Sequence, residues 1–246
     1  MDFYEEFVNS YDRLVSLENR IERESNFFKR IFSENNVKTI LDCACGTGHH
    51  VIMLKQMGYT VIGSDQSPSM IKQAKINSEK YGIRTSFQIA DFRNLTNVFH
   101  ENFDAIVCVG NSLPHLFSDE DLTKAICEMY YVLNKNGILI IDQRNYDKLV
   151  KKRQRFFPIS FRDDEIFLYV LDYFPNKIVF NIIVIEIEKR KIKTYSTEYN
   201  PLKKRKLISM LQMTGFKDMK LYQDHEFNDF DLENSDNLII VCKKIK

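Results

Sequence analysis

The sequence predicts an α/β protein: a seven-stranded, mostly parallel sheet flanked by helices, with an antiparallel β insertion over the end of the sheet where ligands bind. Three observations carry this. Between residues 37 and 145, short β-rich runs alternate with helical stretches, the rhythm of right-handed β–α–β units around a parallel sheet. From residue 146 that rhythm breaks into strand-like runs, with no amphipathic helix of useful length before residue 201. Finally, the first strand runs directly into "ILDCACGTGHH", which places two of the chain's 8 glycines two residues apart.

Each element has its own signal. Residues 3–35 read as helical, because Leu17, Ile21, Phe27, Phe28, Ile31 and Phe32 fall mostly on one face. "VKTILDC" is the first strand, and "GHHVIMLKQMGY" is a helix that stops near Gly58. "TVIGSD" is the second strand. Ser67 caps the helix that follows, with Pro68 in its first turn. "TSFQIAD" is a third strand, and "FDAIVCVGN" is a fourth, apolar enough to be buried on both faces. "SDEDLTKAICEMYYVLNKNG" reads as a helix with acidic residues in its first turn and Gly137 beyond its end. "ILIIDQRN" is the fifth strand. Residues 146–200 hold three strand-like runs, two of them joined by a turn at "FPNK". Pro201 opens a last helix, and "KDMKLYQD" and "NLIIVCKKI" close the chain as strands.

Composition bounds the function. A chain of 246 residues supports one large domain with an insertion, or two modest ones. With 44% hydrophobic and 28% charged residues it is a packing sequence. A net charge of +1 creates no global field for nucleic acid or a membrane surface. Five scattered cysteines do not make a disulfide framework, which points to a reducing cytoplasm. The acidic, mixed start "MDFYEEFVNSYDR" does not read as a signal peptide, and no apolar run is long enough to span a bilayer. The basic runs "KLVKKRQR", "EKRKIK" and "PLKKRK" lack interleaved aromatics and read as solvated surface.

The Gly-x-Gly turn brings backbone close to whatever lies at the rim of the sheet, since Gly46 and Gly48 carry no Cβ. A plain turn that packs helix on strand is the alternative. The dinucleotide fingerprint fails here, because Val51 takes the place of its third glycine. A phosphate loop fails as well, because His49-His50 follows instead of Gly-Lys-Ser/Thr. Asp42, just before the turn, suits a ligand that carries an ammonium group. Cys43 and Cys45 alternate along an extended chain, which would put both sulfurs on one face beside His49 and His50. With no second ligand pair following, no metal site is expected.

The set Asp42, Ala44, Gly46 and Gly48 resembles the first motif of class I S-adenosylmethionine-dependent methyltransferases. Further segments fit in order. "VIGSDQSPSM" places Asp65, followed by Gln66, where that family's acidic residue takes both ribose hydroxyls, a task for a group that accepts two hydrogen bonds. Met70 would touch the adenine, and Asp91 and Phe92 in "IADF" resemble the pair beside that ring. Val109, at the end of the fourth strand, completes the implied cofactor set. The resemblance implies a Rossmann-like fold, S-adenosylmethionine as cofactor and S-adenosylhomocysteine as product.

On the acceptor side, "CVGNSLPHL" and "IIDQRNYD" look like the matching stretches of glycine and sarcosine N-methyltransferases. That resemblance implies Asn111 near the acceptor amine, Arg144 on its carboxylate, Arg20 on the cofactor's carboxylate, Tyr199 lining the acceptor pocket, and Tyr4 or Tyr11 covering it. His115 is a candidate general base by position alone. The DNA adenine enzymes carry prolines after this Asn, which are absent here, and Cys108 lies within a strand as a small apolar residue. Methyl transfer from a sulfonium needs an acceptor lone pair held on axis, so positioning does most of the catalysis. Arg144 would supply a planar fork to a carboxylate, and the Asn111 side-chain oxygen would face the amine as it becomes cationic.

The chain thus divides into an N-terminal helical segment covering the site (1–36), a cofactor-binding core (37–145), an acceptor-side insertion (146–200) and a C-terminal helix with strands that complete the sheet (201–246). The partner is a small-molecule acceptor, and an oligomer is left open. Two alternatives remain: N-, O- or C-methylation of another metabolite, and a non-catalytic S-adenosylmethionine-binding sensor or partner protein.

Overall fold

The computed structural model describes residues 7, 8, 12, 16–162 and 164–245. Helix α1 (Leu17–Glu34) starts where the Ser16 hydroxyl accepts the Asn19 N–H at 3.3 Å, and it buries Phe27, Phe28, Ile31 and Phe32. The alternating half follows as β1 (Thr39–Asp42), α2 (His49–Gln56), β2 (Thr60–Asp65), α3 (Pro68–Lys80), β3 (Ser86–Ile89), β4 (Phe103–Cys108), α4 (Asp119–Tyr131) and β5 (Leu133–Arg144). Ser67 caps α3 by accepting the Met70 N–H at 3.3 Å, and Ser118 caps α4 by accepting the Asp121 N–H at 3.0 Å.

The second half comprises α5 (Tyr146–Lys152), β6 (Phe156–Arg162), β7 (Glu165–Tyr173), β8 (Ile178–Glu186), β9 (Lys191–Tyr199), α6 (Lys204–Thr214), β10 (Phe216–Tyr222) and β11 (Asn237–Lys244). One sheet has seven strands in the order β3-β2-β1-β4-β5-β11-β10, and the other has four, β6-β7-β8-β9. In the larger sheet β1 lies parallel between β2 and β4, while β11 runs antiparallel to both its neighbours, β5 and β10. Strand order therefore reverses at β1, which opens a crevice at the carboxyl ends of β1 and β4.

The sheet is buried on both faces, which is why its strands read as near-continuous apolar runs. Ile40 packs with α1, α2 and α3, while Leu41 faces α4 and α6. The smaller sheet has its own core, in which Phe167, Leu171 and Phe180 pack on Tyr146 and Leu149 of α5. The Asn200 N–H donates to the Pro114 carbonyl at 2.7 Å and its side-chain amide to the Leu116 carbonyl at 2.9 Å, tying the end of β9 to the loop after β4. These two bonds set the antiparallel insertion over the rim of the larger sheet.

Four local expectations are corrected. Helix α4 ends at Tyr131, and Gly137 lies inside β5, where a Cβ would sit 2.9 Å from the Asn134 carbonyl. The insertion holds four strands and the short helix α5, since β6 adds to the three expected runs. Pro201 precedes the last helix by three residues, and α6 starts at Lys204. Cys43 and Cys45 do not share a face: Cys43 packs in the α4 core and Cys45 in the α1–α3 core. Strand β1 ends at Asp42, so the two-residue alternation does not extend through the turn. No group of metal-binding residues occurs among the described residues, and none of their helices is long and apolar enough to cross a membrane.

Candidate active site

A cavity of about 380 Å³ opens at the carboxyl ends of β1, β2 and β4. The turn after β1 contributes Ala44 and Gly46, the end of β2 contributes Asp65 and Gln66, and α3 contributes Met70. Phe92 and Arg93 line it from the loop after β3; Gly110, Ser112 and His115 do so from the loop after β4. Of the sequence-expected residues, Asp42, Gly48, Asp91, Val109, Arg20, Asn111, Arg144 and Tyr199 lie outside this lining.

The two glycines have different tasks. Gly46 has φ +52°, and a Cβ there would meet nothing within 4 Å, so its α-carbon faces open space beside the cavity. Gly48 has φ +86° as the N-cap of α2, and a Cβ there would come within 3.0 Å of Ala74 and 3.2 Å of Phe87. Gly48 is therefore a packing glycine that lets α2 close on α3 and β3, rather than one that admits a ligand.

Two carboxylates flank the turn. Asp65 accepts the Gly46 N–H at 2.9 Å through Oδ2 and the Ser67 N–H at 2.9 Å through Oδ1. A carboxylate accepts hydrogen bonds through both oxygens, the chemistry that a diol requires. Asp42 is fully buried. Its Oδ1 accepts the Ala44 N–H at 3.3 Å, and its Oδ2 has no hydrogen-bond partner among the described residues. Burial, reinforced by the charge of Asp65, pushes its carboxyl up to about 7 against the pull of Ala44 N–H and Arg20. A buried, half-satisfied carboxylate is what an incoming ammonium group fits.

Other expected residues are engaged by neighbouring side chains or buried in the core. Asp91 is gripped by Arg93, with contacts of 3.1 and 2.6 Å, and Arg93 also pairs with Asp121 at 3.0 Å. Arg93, which the sequence reading passed over, thus stands between Asp91 and the cavity. Its only sequence signal is its place two residues after Asp91. Arg20 reaches over the start of α2, with Nη1 2.5 Å from His50 Nε2 and 3.2 Å from Glu24. Its Nε is buried without a partner among the described residues. Burial and Arg20 push His50 down to about 4, while Glu24 is held at about 2, its own burial outweighed by His50 and Arg20. Val109 is a buried core residue.

The residues expected on the acceptor side are linked to the cavity wall through ring contacts. Arg144, at the end of β5, lies over the rings of Phe157 (5.6 Å) and Phe180 (5.3 Å), and it makes no ion pair among the described residues. Phe180 is 6.1 Å from the Tyr199 ring, which is 4.7 Å from the His115 ring at the cavity wall. A chain of rings thus joins Arg144 to the cavity. Asn111 is turned otherwise than expected: its side-chain oxygen is engaged by the Arg144 N–H at 3.1 Å and by the Tyr146 hydroxyl at 3.1 Å. Tyr4 and Tyr11 lie outside the described residues.

Comparison with known proteins agrees with this fold. The methyltransferase-domain family matches residues 40–137. A glycine/sarcosine N-methyltransferase of Aphanothece halophytica is 32% identical over 246 residues, 99% of this chain and 90% of that protein. One from Parasynechococcus marenigrum is 41% identical over 150 residues, 61% of this chain and about half, 53%, of that relative. Among solved structures, an S-adenosylmethionine-dependent methyltransferase from Clostridium acetobutylicum superimposes with a TM-score of 0.79 at 20% identity, covering 98% of this chain and 99% of that one, which shows the shared fold.

Proposed function

Because the chain belongs to the S-adenosylmethionine-dependent methyltransferases, in the glycine/sarcosine N-methyltransferase family, we propose that it methylates the amine of a small amino acid, glycine or sarcosine. The observation that best supports this acceptor is Arg144. Its guanidinium is stacked between two rings, has no carboxylate partner among the described residues, and sits at the rim of the cofactor sheet. A half-buried planar fork held over two rings favours a bidentate carboxylate.

When bound, S-adenosylmethionine supplies an activated methyl group on a sulfonium, transferred in line to the amine lone pair. The residues present fit it. Gly46 would leave room beside its amino-acid portion, and the unpartnered Asp42 Oδ2 would take its ammonium group. The Arg20 Nε would serve as a donor to its carboxylate, Asp65 would take the ribose hydroxyls, and Met70 and Phe92 would cover the adenine.

Arg144 orients the acceptor by its carboxylate, so the opposite end, the amine, is directed toward the cavity. An α-amino group with a pKa near about 8 is mostly protonated at neutral pH. Removal from water raises the cost of that charge and favours the neutral amine. As the nitrogen becomes cationic, Tyr199, whose ring lies 4.7 Å from the His115 ring at the cavity wall, would supply an oxygen acceptor. Phe7 packs 4.8 Å from Tyr195 of the insertion, which supports an N-terminal contribution to the acceptor side. The acceptor is a metabolite rather than a nucleic acid, since basic residues such as Lys148 pair with acids on the same chain. Five free cysteines agree with a cytoplasmic setting.

The test is incubation with methyl-labelled S-adenosylmethionine and a panel of glycine, sarcosine, β-alanine and ethanolamine. Label is expected in glycine or sarcosine. Label in an amine without a carboxylate would overturn the role of Arg144, and cofactor binding with no labelled acceptor would favour a sensor.

A further inference from the structure

The side-chain amide of Asn111 joins three elements. Its Oδ1 accepts the backbone N–H of Arg144 at 3.1 Å, its Nδ2 lies 2.9 Å from the Tyr146 hydroxyl, and that hydroxyl lies 3.1 Å from Oδ1. A backbone N–H only donates, so the Arg144 contact fixes which end of the amide is oxygen, and the nitrogen is the end that donates to Tyr146. Asn111 has φ +67° and follows Gly110 at +75°, so the chain turns sharply out of β4 at this point. Its own N–H then donates to the Asp142 carbonyl at 3.0 Å.

Tyr146 is 1% exposed, within the core of the smaller sheet. Phenylalanine would fill the same space with the same apolar contacts. A hydroxyl buried there costs free energy unless it is hydrogen-bonded, and Asn111 is its one partner among the described residues.

We propose that Tyr146 is a positioning residue for the methyl acceptor: its hydroxyl orients the Asn111 amide and, through that amide, the backbone of Arg144. The acceptor groups of the cofactor sheet and of the insertion are thereby held in one frame. The inference rests on the reading of Arg144 and Asn111 as acceptor-side residues.

The test is Tyr146→Phe in the full chain, read in two ways. With glycine or sarcosine as acceptor, KM rises about five- to tenfold, the worth of one hydrogen bond. Meanwhile kcat stays within about twofold and the affinity for S-adenosylhomocysteine is unchanged. The second reading needs no acceptor. The Asn111 side-chain amide protons, identified in isotope-labelled NMR by their loss in Asn111→Ser, exchange with solvent about tenfold faster in Tyr146→Phe. The backbone amides of β5 keep their protection. An unchanged KM, an unchanged Asn111 exchange rate, or an equal loss of acceptor and cofactor affinity would each overturn the proposal. If the wild-type protein methylates neither glycine nor sarcosine, the acceptor reading fails, and the exchange measurement still decides whether Tyr146 orients Asn111.

Discussion

The Asp65 carboxylate accepts the Gly46 N–H at 2.9 Å, so the end of β2 and the turn after β1 hold each other across the mouth of the cavity. The same side chain that would grip the ribose therefore shapes the backbone against which the cofactor's other end lies. Asp65→Ala is expected to weaken S-adenosylhomocysteine binding by about 1–3 kcal/mol in calorimetry, from unpaired hydroxyls and a loosened turn together. Unchanged affinity would place the ribose elsewhere.

Gly46 and Gly48 separate ligand space from packing. Gly48→Ala forces a Cβ to within 3.0 Å of Ala74 at φ +86°. It should cost about 2–4 kcal/mol of stability in denaturant unfolding, by left-handed strain plus overpacking. Gly46→Ala meets no neighbour within 4 Å, so it should cost about 1–2 kcal/mol by backbone strain alone. The cofactor affinity should nonetheless drop at least tenfold. The reverse pattern would mean that Gly46 does not face the cofactor.

Arg144→Lys keeps the charge but loses the planar fork stacked on Phe157 and Phe180. The acceptor KM should rise about 10- to 100-fold, with cofactor affinity within about twofold of wild type. Steady-state kinetics alongside calorimetry checks both. Equal effects on the two ligands would identify a structural arginine.

The sheet and its rim were legible because their signals are local: an apolar run, a glycine pair, an acid at a strand end. What escaped depends on distant partners. β6 is an edge strand with exposed Phe156, Ile159 and Phe161 and a proline, Pro158, as its third residue, so neither alternation nor propensity marks it. Helix α4 read too long because the run after Tyr131 keeps apolar and polar residues at both periods, and β5 absorbs it through a register shift against β4. The orientation of Asn111 is set by Arg144 and Tyr146, 33 and 35 residues away. The capture of Asp91 by Arg93 is secured by Asp121, 28 residues further on. Residue type announced a polar site, and only tertiary contact decided which atom faces which ligand.

Asp42 couples stability and cofactor binding to pH in opposite directions. Its carboxyl, ordinarily at 3.8, is pushed up to about 7 by burial, with the Asp65 charge adding to it. Ionising it therefore costs more in the folded than in the unfolded chain. The resulting destabilisation is absent below about pH 4, grows as pH rises through the window, and is complete above about 7. Asp42→Asn keeps an oxygen for the Ala44 N–H and never ionises. It should be more stable than wild type at pH 8, on the order of 2–4 kcal/mol, with the gain vanishing at pH 4. Cofactor binding runs the other way, because an ammonium group favours the ionised carboxylate. Wild-type affinity should fall as pH drops below about 7, and binding near pH 7 should release a fraction of a proton. Calorimetry in two buffers of different ionisation heat counts that proton. Asp42→Asn should bind more weakly and release none, and a variant that keeps both the affinity and the proton release would mean that the ammonium group lies against another acid.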